Sequence, residues 1–188
     1  MPEALYFTDS DEANELIARE PLALLIGFAL DQQITVQTAF LGPLKLKQRV
    51  GALDAAAIAS MDPQELEDVF RRRPGIHRFP AAMARRVQDL CAFVAEEHDG
   101  DAERVWTDAT DAADLRRRIA ALPGFGKMKV TALGSVLALR FGVEVATELV
   151  PDFPTLGGVD SSEALAEYQA KKRAHRETRR QLTQNNSA

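Results

Sequence analysis

The hexapeptide Leu122-Pro123-Gly124-Phe125-Gly126-Lys127 has the residue types of a phosphate-holding turn. Gly124 and Gly126 can take backbone angles that other residues resist, and they leave no side chain between the main chain and a ligand. A helix that begins after the turn aims unpaired N–H groups, and the positive end of its dipole, at whatever lies in front of it. Lys127 and Lys129 add positive charge beside that position. A simple connection between two packed helices uses the same residues, so the turn alone leaves both readings open.

Two other groups could carry chemistry. Asp31-Gln32-Gln33-Ile34-Thr35 separates two apolar helical runs. Two amide side chains at such a junction suit a surface that hydrogen-bonds base edges or fills a gap in a base stack. A polar helix–helix connection is the alternative. Asp152 sits in the stiff segment Val150-Pro151-Asp152-Phe153-Pro154. A carboxylate on such a loop can be held at a reacting centre, while a cap of a turn or helix is its plainer use. His77, His98 and His175 are far apart and lack the spacing of a ligand set, so no metal site is expected. The Ser, His and Cys positions form no nucleophilic motif, and no Gly-Lys-Ser/Thr signature of a nucleoside triphosphatase is present.

The elements that must position these groups read as helical nearly throughout. Thr8-Asp9-Ser10-Asp11-Glu12 has the hydroxyls and acids of a helix start. Pro21 opens a helix from Leu22 to about Leu30 that is apolar on almost every face and is therefore expected to be buried. Thr35 to Leu41 resumes a helix, expected to stop near Gly42-Pro43. Asp54 to Ser60 is a short helix, and Asp62-Pro63 starts another with Asp as cap and Pro at the first position. Pro74-Gly75 is a turn. A long helix, Ala81 to Glu97, is ended by Asp99-Gly100. Asp111 to Ala121 and Lys129 to Phe141 flank the glycine turn, and Ser161-Ser162-Glu163 starts the last helix. One short strand is expected near Val143-Glu144-Val145, and Gln184 to Ala188 is expected to fray. The domain reading is a helical unit over 1–160, with the hairpin at 120–131, followed by a C-terminal helix and basic tail over 161–188.

Bulk composition removes several classes. A chain of 188 residues with 46% apolar and 27% charged residues is a soluble globular domain, or two small lobes sharing a core. The single cysteine, Cys91, excludes a disulfide framework and a cysteine-ligated iron–sulfur cluster. It reads as a buried small residue on a helix. The N-terminal stretch is acidic and lacks the basic and apolar regions of a signal peptide. No apolar run reaches the roughly 20 residues of a membrane helix. A cytoplasmic location is expected, with nucleoid association in a bacterial cell, and no membrane contact. The net charge of −5 is unevenly spread. Basic residues concentrate at Arg71-Arg72-Arg73, Arg85-Arg86, Arg116-Arg117-Arg118 and the tail from Lys171 to Arg180, so local contact with nucleic acid stays open.

The order of these features resembles the helix-hairpin-helix (HhH-GPD) superfamily of base-excision DNA glycosylases, which includes the endonuclease III and 3-methyladenine glycosylase II types. A Gln-Gln break, a turn at Pro74-Gly75-Ile76-His77-Arg78-Phe79, a long helix, Leu-Pro-Gly-x-Gly, an apolar helix ending at Phe141-Gly142 and an aspartate loop follow one another over roughly residues 22 to 155. The resemblance implies an all-α, two-lobed fold with a cleft between the lobes. It implies double-stranded DNA as partner, and a damaged nucleotide turned out of the duplex because its glycosidic bond cannot be reached in the stack. By position, Gln33, with Gln32 beside it, matches the residue that fills the vacated space. Gly124, Phe125, Gly126, Lys127 and Lys129 fall on the phosphate-binding hairpin, whose carbonyls often hold a monovalent cation in this family. No other cofactor and no iron–sulfur cluster are implied, and a monomer is expected.

Two departures define the expected chemistry. Bifunctional members carry a lysine nucleophile where this chain has Met128. Lys129 follows one residue later, which turns it about 100° around a helix. The resemblance therefore implies a monofunctional enzyme, with water as nucleophile and no lyase step. The Val-Asp-x-His stretch of many members is absent, and Val150-Pro151-Asp152-Phe153 is similar instead to the Pro-Asp-Asp-like loop of the glycosylase II type. Asp152 is the catalytic candidate, with Glu144, Glu148 and Asp160 as fallbacks. The favoured substrate is an alkylated or deaminated purine, whose base already leaves readily. Phe28, Phe40, Phe79, Phe125 and Phe153 can stack on an everted base or fill the core. Arg71-Arg72-Arg73, Arg78 and the hairpin lysines could line one DNA-facing surface. Arg116-Arg117-Arg118 is read as offsetting Asp108, Asp111 and Asp114. The tail reads equally as a solvated helix end or a DNA contact. The competing hypothesis is a non-catalytic DNA-binding protein on the same fold. A helical protein-interaction module without a DNA role is the third reading.

Overall fold

Side-chain caps start the helices where the sequence places them. In the computed structural model, which describes residues 2–185 and the side chains of residues 2–174, Ser10 accepts from the Ala13 N–H at 3.3 Å and opens α1, Asp11–Arg19. Thr35 opens α3, Val36–Val50, by accepting from Thr38 N–H at 3.2 Å. Asp54 opens α4, Ala55–Ser60, and Asp62 opens α5, Pro63–Arg71, accepting from Gln64 and Glu65 at 2.9 and 3.1 Å. Asp111 opens α8, Ala112–Ala121, by accepting from Asp114 N–H at 2.7 Å. Each such bond satisfies an N–H that the helix leaves unpaired, an effect of about 1 kcal/mol. The remaining helices are α2, Pro21–Leu30; α6, Pro80–Glu97; α7, Arg104–Thr107; α9, Lys127–Phe141; and α10, Ser162–Asn185.

The uniformly apolar α2 is buried from Leu22 through Leu30. It packs against α1, α3 and α6, while α4 and α5 pack on α6. Phe28 and Phe7 meet Phe40 edge to face at 5.1 and 5.0 Å in this first lobe. The second lobe is organised on α9, against which α8 and two 3-10 turns, Glu144–Leu149 and Leu156–Gly158, are packed. Buried Leu165 and partly buried Tyr168 fix the start of α10 to the core.

Two local expectations are corrected and one further element appears. Helix α3 does not stop at Gly42-Pro43 but runs on to Val50. A proline inside a helix removes a hydrogen bond at a cost of about 3 kcal/mol. Burial of Leu44 and Leu46 on the far side outweighs that loss, and Gly42 lets α2 approach: a Cβ there would lie 2.4 Å from Leu30 Cδ1. The strand expected at 143–145 is a 3-10 turn, because Ala146 and Leu149 are buried at a spacing of three residues. The short α7 was not anticipated; it buries Val105 and Trp106.

Cys91 is fully buried on α6, and burial pushes its thiol up to about 12. Of the arginine cluster at 116–118, Arg117 and Arg118 pair with Asp114 at 2.9 and 3.0 Å. Asp108 is held instead by Arg104, and Asp111 serves as the cap of α8. Arg71 pairs with Glu67 along α5, leaving Arg72 and Arg73 exposed. The tail side chains beyond Ala174, His175 included, lie outside the described residues, and of the fraying expected at 184–188, residues 184 and 185 instead close α10 while 186–188 lie outside the described residues.

Candidate nucleic-acid interface

Helix α9 begins at Gly126 without any side-chain cap. Lys129 and Val130 N–H both donate to the Gly126 carbonyl, at 2.9 and 3.1 Å, while the Lys127 and Met128 N–H groups have no acceptor among the described residues. The turn itself is closed by Phe125 N–H on the Leu122 carbonyl at 3.0 Å. Gly124 takes φ +81, a conformation open to glycine, and a Cβ added at Gly126 would meet nothing within 4 Å. An exposed, uncapped N-terminus of a 15-residue helix, approached over bare glycine, has the physical requirements of an anion site. Lys127 is exposed beside it.

The Gln-Gln segment folds directly against this hairpin. Arg86 of α6 donates from Nη1 to Gln32 Oε1. The same side chain lies under Gly124, where an added Cβ would fall 2.9 Å from its Cδ. Lys129 Nζ donates to the Ala29 carbonyl at 3.1 Å and lies 5.6 Å from the Phe125 ring centre. Phe125 in turn packs near Phe28, with ring centres 6.5 Å apart. The hairpin and the glutamine loop, some ninety residues apart in sequence, form one site at the junction of the lobes.

The two glutamines are used differently. Gln32 is half-buried, its amide held by Arg86 and its carbonyl accepting from His77 Nε2 at 3.1 Å. Gln33 is exposed, and its backbone takes φ +58. His77 is 6% exposed and its Nδ1 accepts the Phe79 N–H at 3.0 Å. That acceptor role places the ring proton on Nε2 in a neutral imidazole. Burial lowers its pKa below the usual histidine value, backbone hydrogen bonds at Gln32 and Leu30 oppose, and Arg78 and Arg86 add to the lowering.

Lysine positions follow the register of α9. Met128, where a lysine nucleophile would stand, is 71% exposed. Lys129 is turned inward onto α2, and burial, with Arg86 nearby and Asp31 opposing, lowers its ammonium to about 8. Among the candidate stacking rings, Phe28, Phe40 and Phe125 are core. Phe79 and Phe153 are 39% and 48% exposed, with Arg78 lying 4.8 Å from the Phe79 ring centre.

Asp152 is exposed, and its carboxylate makes no hydrogen bond or ion pair among the described residues. It caps neither 3-10 turn. Its loop is pinned at both ends: Leu149 lies over Gly134, where a Cβ would come within 2.6 Å, and Gly157 meets the Ser135 carbonyl, where a Cβ would lie 2.4 Å away. Both anchors sit on α9 about two turns beyond Lys127. Glu144, Glu148 and Asp160 are also exposed. Among the described residues, no group of three or more His, Cys, Asp or Glu is placed to hold a metal ion, and no helix is long and apolar enough to cross a membrane.

Arg86, His77 and Phe79 carry part of this site, and only Phe79 stood out in the sequence. Arg86 reads there as one of a basic pair and His77 as a lone histidine. No spacing rule links either to Gln32, because the contacts cross from α6 and its leading turn to the loop after α2.

An all-α fold with a glycine hairpin opening a helix against a Gln-Gln loop defines a helix-hairpin-helix protein. The HhH-GPD superfamily base excision DNA repair protein family matches residues 26–182, from within α2 into α10, and the chain belongs to that superfamily. No curated protein and no solved structure matches the chain significantly.

Proposed function

We propose that the protein is a monofunctional DNA N-glycosylase that releases a damaged purine, alkylated or deaminated, from duplex DNA. The observation that supports this most is the union of the uncapped hairpin with the Gln32–Gln33 loop through Arg86 and Lys129. The hairpin amides and Lys127 would hold the DNA backbone, and exposed Gln33 would fill the space left by the everted nucleotide. As the glycosidic C–N bond breaks, its electron pair leaves with the base. The Asp152 carboxylate would stabilise the positive sugar and orient the water that adds to it, the water's proton passing to the carboxylate or solvent.

Met128 in place of an amine, and Lys129 engaged with Ala29, favour water over lysine as nucleophile. A monovalent cation fits the hairpin chemically. The Pro123, Gly124 and Phe125 carbonyls accept no hydrogen bond among the described residues, and neutral oxygens without a carboxylate suit a hard single charge. Such an ion would offset phosphate charge.

The test is single-turnover base release on duplexes carrying hypoxanthine, a 3-methyladenine analogue, 1,N6-ethenoadenine, uracil or 8-oxoguanine, with Asp152→Asn alongside. Release by the wild type that Asp152→Asn abolishes, with duplex binding intact and no borohydride-trapped adduct, is expected. The exposed, unpaired Asp152 also suits a second reading, a DNA-binding protein that does not cleave. Salt-dependent binding with no release on any lesion would select it.

A further inference from the structure

We propose that Arg86 is a positioning residue that couples the hairpin to the Gln32–Gln33 loop, holding Gln33 in the conformation that it presents to DNA. The proposal rests on the reading of Gln33 as the residue that enters the vacated space. Gln33 has a φ of +58, a left-handed conformation that a non-glycine residue keeps only where its surroundings over-determine it. The restraints fall on the residues just before it. Gln32 N–H donates to the Leu30 carbonyl at 2.7 Å, the Gln32 carbonyl accepts from His77 at 3.1 Å, and the Gln32 amide oxygen accepts from Arg86. On the other side, Thr35 is fixed as the cap of α3.

Arg86 alone among these reaches the hairpin as well. Its Cδ, Nε and Cζ would stand 2.9, 3.1 and 3.4 Å from a Cβ at Gly124, so the absent side chain of Gly124 makes room for the guanidinium stem. A planar fork on a three-carbon stem can lie flat under a turn and still donate at its tip. A lysine keeps the charge and loses that shape. Lys129 holds the Ala29 carbonyl from the hairpin helix, so the end of α2 is gripped from α6 and α9 together. A hairpin seated on phosphate would thereby fix the glutamine that enters the stack.

Arg86→Lys and Gln32→Ala test this in the full-length protein by two readouts. The first is amide hydrogen exchange in the free protein. Exchange at the Asp31 and Gln32 N–H groups, which donate to the Gly27 and Leu30 carbonyls, is expected to rise about tenfold or more in both variants, as expected for losing a charge-assisted hydrogen bond, with α6 and α9 unchanged. The second is binding to a duplex with a tetrahydrofuran abasic analogue against the undamaged duplex. Preference for the abasic duplex is expected to fall about tenfold in Arg86→Lys, the loss on the abasic duplex exceeding any loss on undamaged DNA, with the salt slope kept because the charge remains. The double variant is expected to lose no more than either single one. Unchanged exchange in both variants would overturn the proposal, as would equal losses on both duplexes. Raised exchange in a protein whose wild type shows no abasic preference would uphold the positioning and refute the role given to Gln33. Should Arg86→Lys fail to fold, Gln32→Ala carries both readouts.

Discussion

The Lys129 ammonium caps the Ala29 carbonyl at 3.1 Å across a hundred residues of chain. That carbonyl lies in the last turn of α2, where the helix leaves acceptors unpaired and its dipole favours a cation. The two elements that carry the candidate site are thus joined by an interaction that each needs for its own reasons. The ammonium is half-buried and its pKa is lowered to about 8 from an ordinary 10.5, so it also carries a burial penalty.

That penalty is measurable. The folded pKa lies below the unfolded one, so the unfolded chain binds more protons between about 8 and 10.5. The contribution of Lys129 to stability therefore rises with pH across that window, and the penalty is present in full below it. Lys129→Met is expected to abolish this rise while changing stability at pH 7 by no more than about 1 kcal/mol, since relief of desolvation offsets the lost cap. Urea unfolding of both proteins at pH 7 and pH 9.5 checks it. Identical pH dependence in the two would refute the burial of this amine.

The two hairpin glycines should separate folding from binding. Gly124→Ala places a Cβ 2.9 Å from Arg86 at φ +81 and is expected to cost about 1–2 kcal/mol as well as duplex affinity. Gly126→Ala meets nothing in the protein, so it should leave the melting temperature unchanged and weaken duplex binding alone. Thermal melts beside a binding titration distinguish them. An unchanged affinity in Gly126→Ala would remove the bare-glycine approach from the interface.

His77 gives a stability change on the acid side. Its folded pKa is lowered, first by burial, so its neutral form stabilises the fold fully above the unfolded value of about 6.5. That contribution is lost as pH falls through the folded pKa. His98, lowered by burial and by Arg118 and Arg104, acts in the same direction. The wild type is expected to weaken between pH 7 and pH 5, and His77→Phe to weaken less steeply while losing roughly 2 kcal/mol at pH 7 with its two hydrogen bonds. Nitrogen chemical shifts of the ring, which report an Nε2–H tautomer, provide the independent check.

Gly157 tests how the Asp152 loop is held. A Cβ there would meet the Ser135 backbone at 2.4 Å, whereas at neighbouring Gly158 it meets nothing within 4 Å. Gly157→Ala is expected to destabilise by about 1–3 kcal/mol and to reduce base release by more than tenfold, because a shift of about 1 Å in a reacting group has that effect. Gly158→Ala is expected to behave as wild type. Equal activity in both variants would detach the loop from the chemistry.

The sequence alone determined what short-range physics controls. Helix starts at Ser10, Asp54, Asp62 and Asp111 follow from local caps, and the burial of α2 follows from a run without a polar face. The hairpin was legible because glycine spacing, proline and the following helix act within a few residues. Tertiary structure decided where long-range packing overrides local preference. It carries α3 through Pro43, converts 143–145 into a 3-10 turn, and divides the glutamines into a held Gln32 and an exposed Gln33. It also brings Arg86, His77 and Lys129 to the end of α2. No sequence period encodes that convergence, because each contact depends on how separate helices cross, and the energy of a hydrogen bond between distant elements has no signature at either end alone.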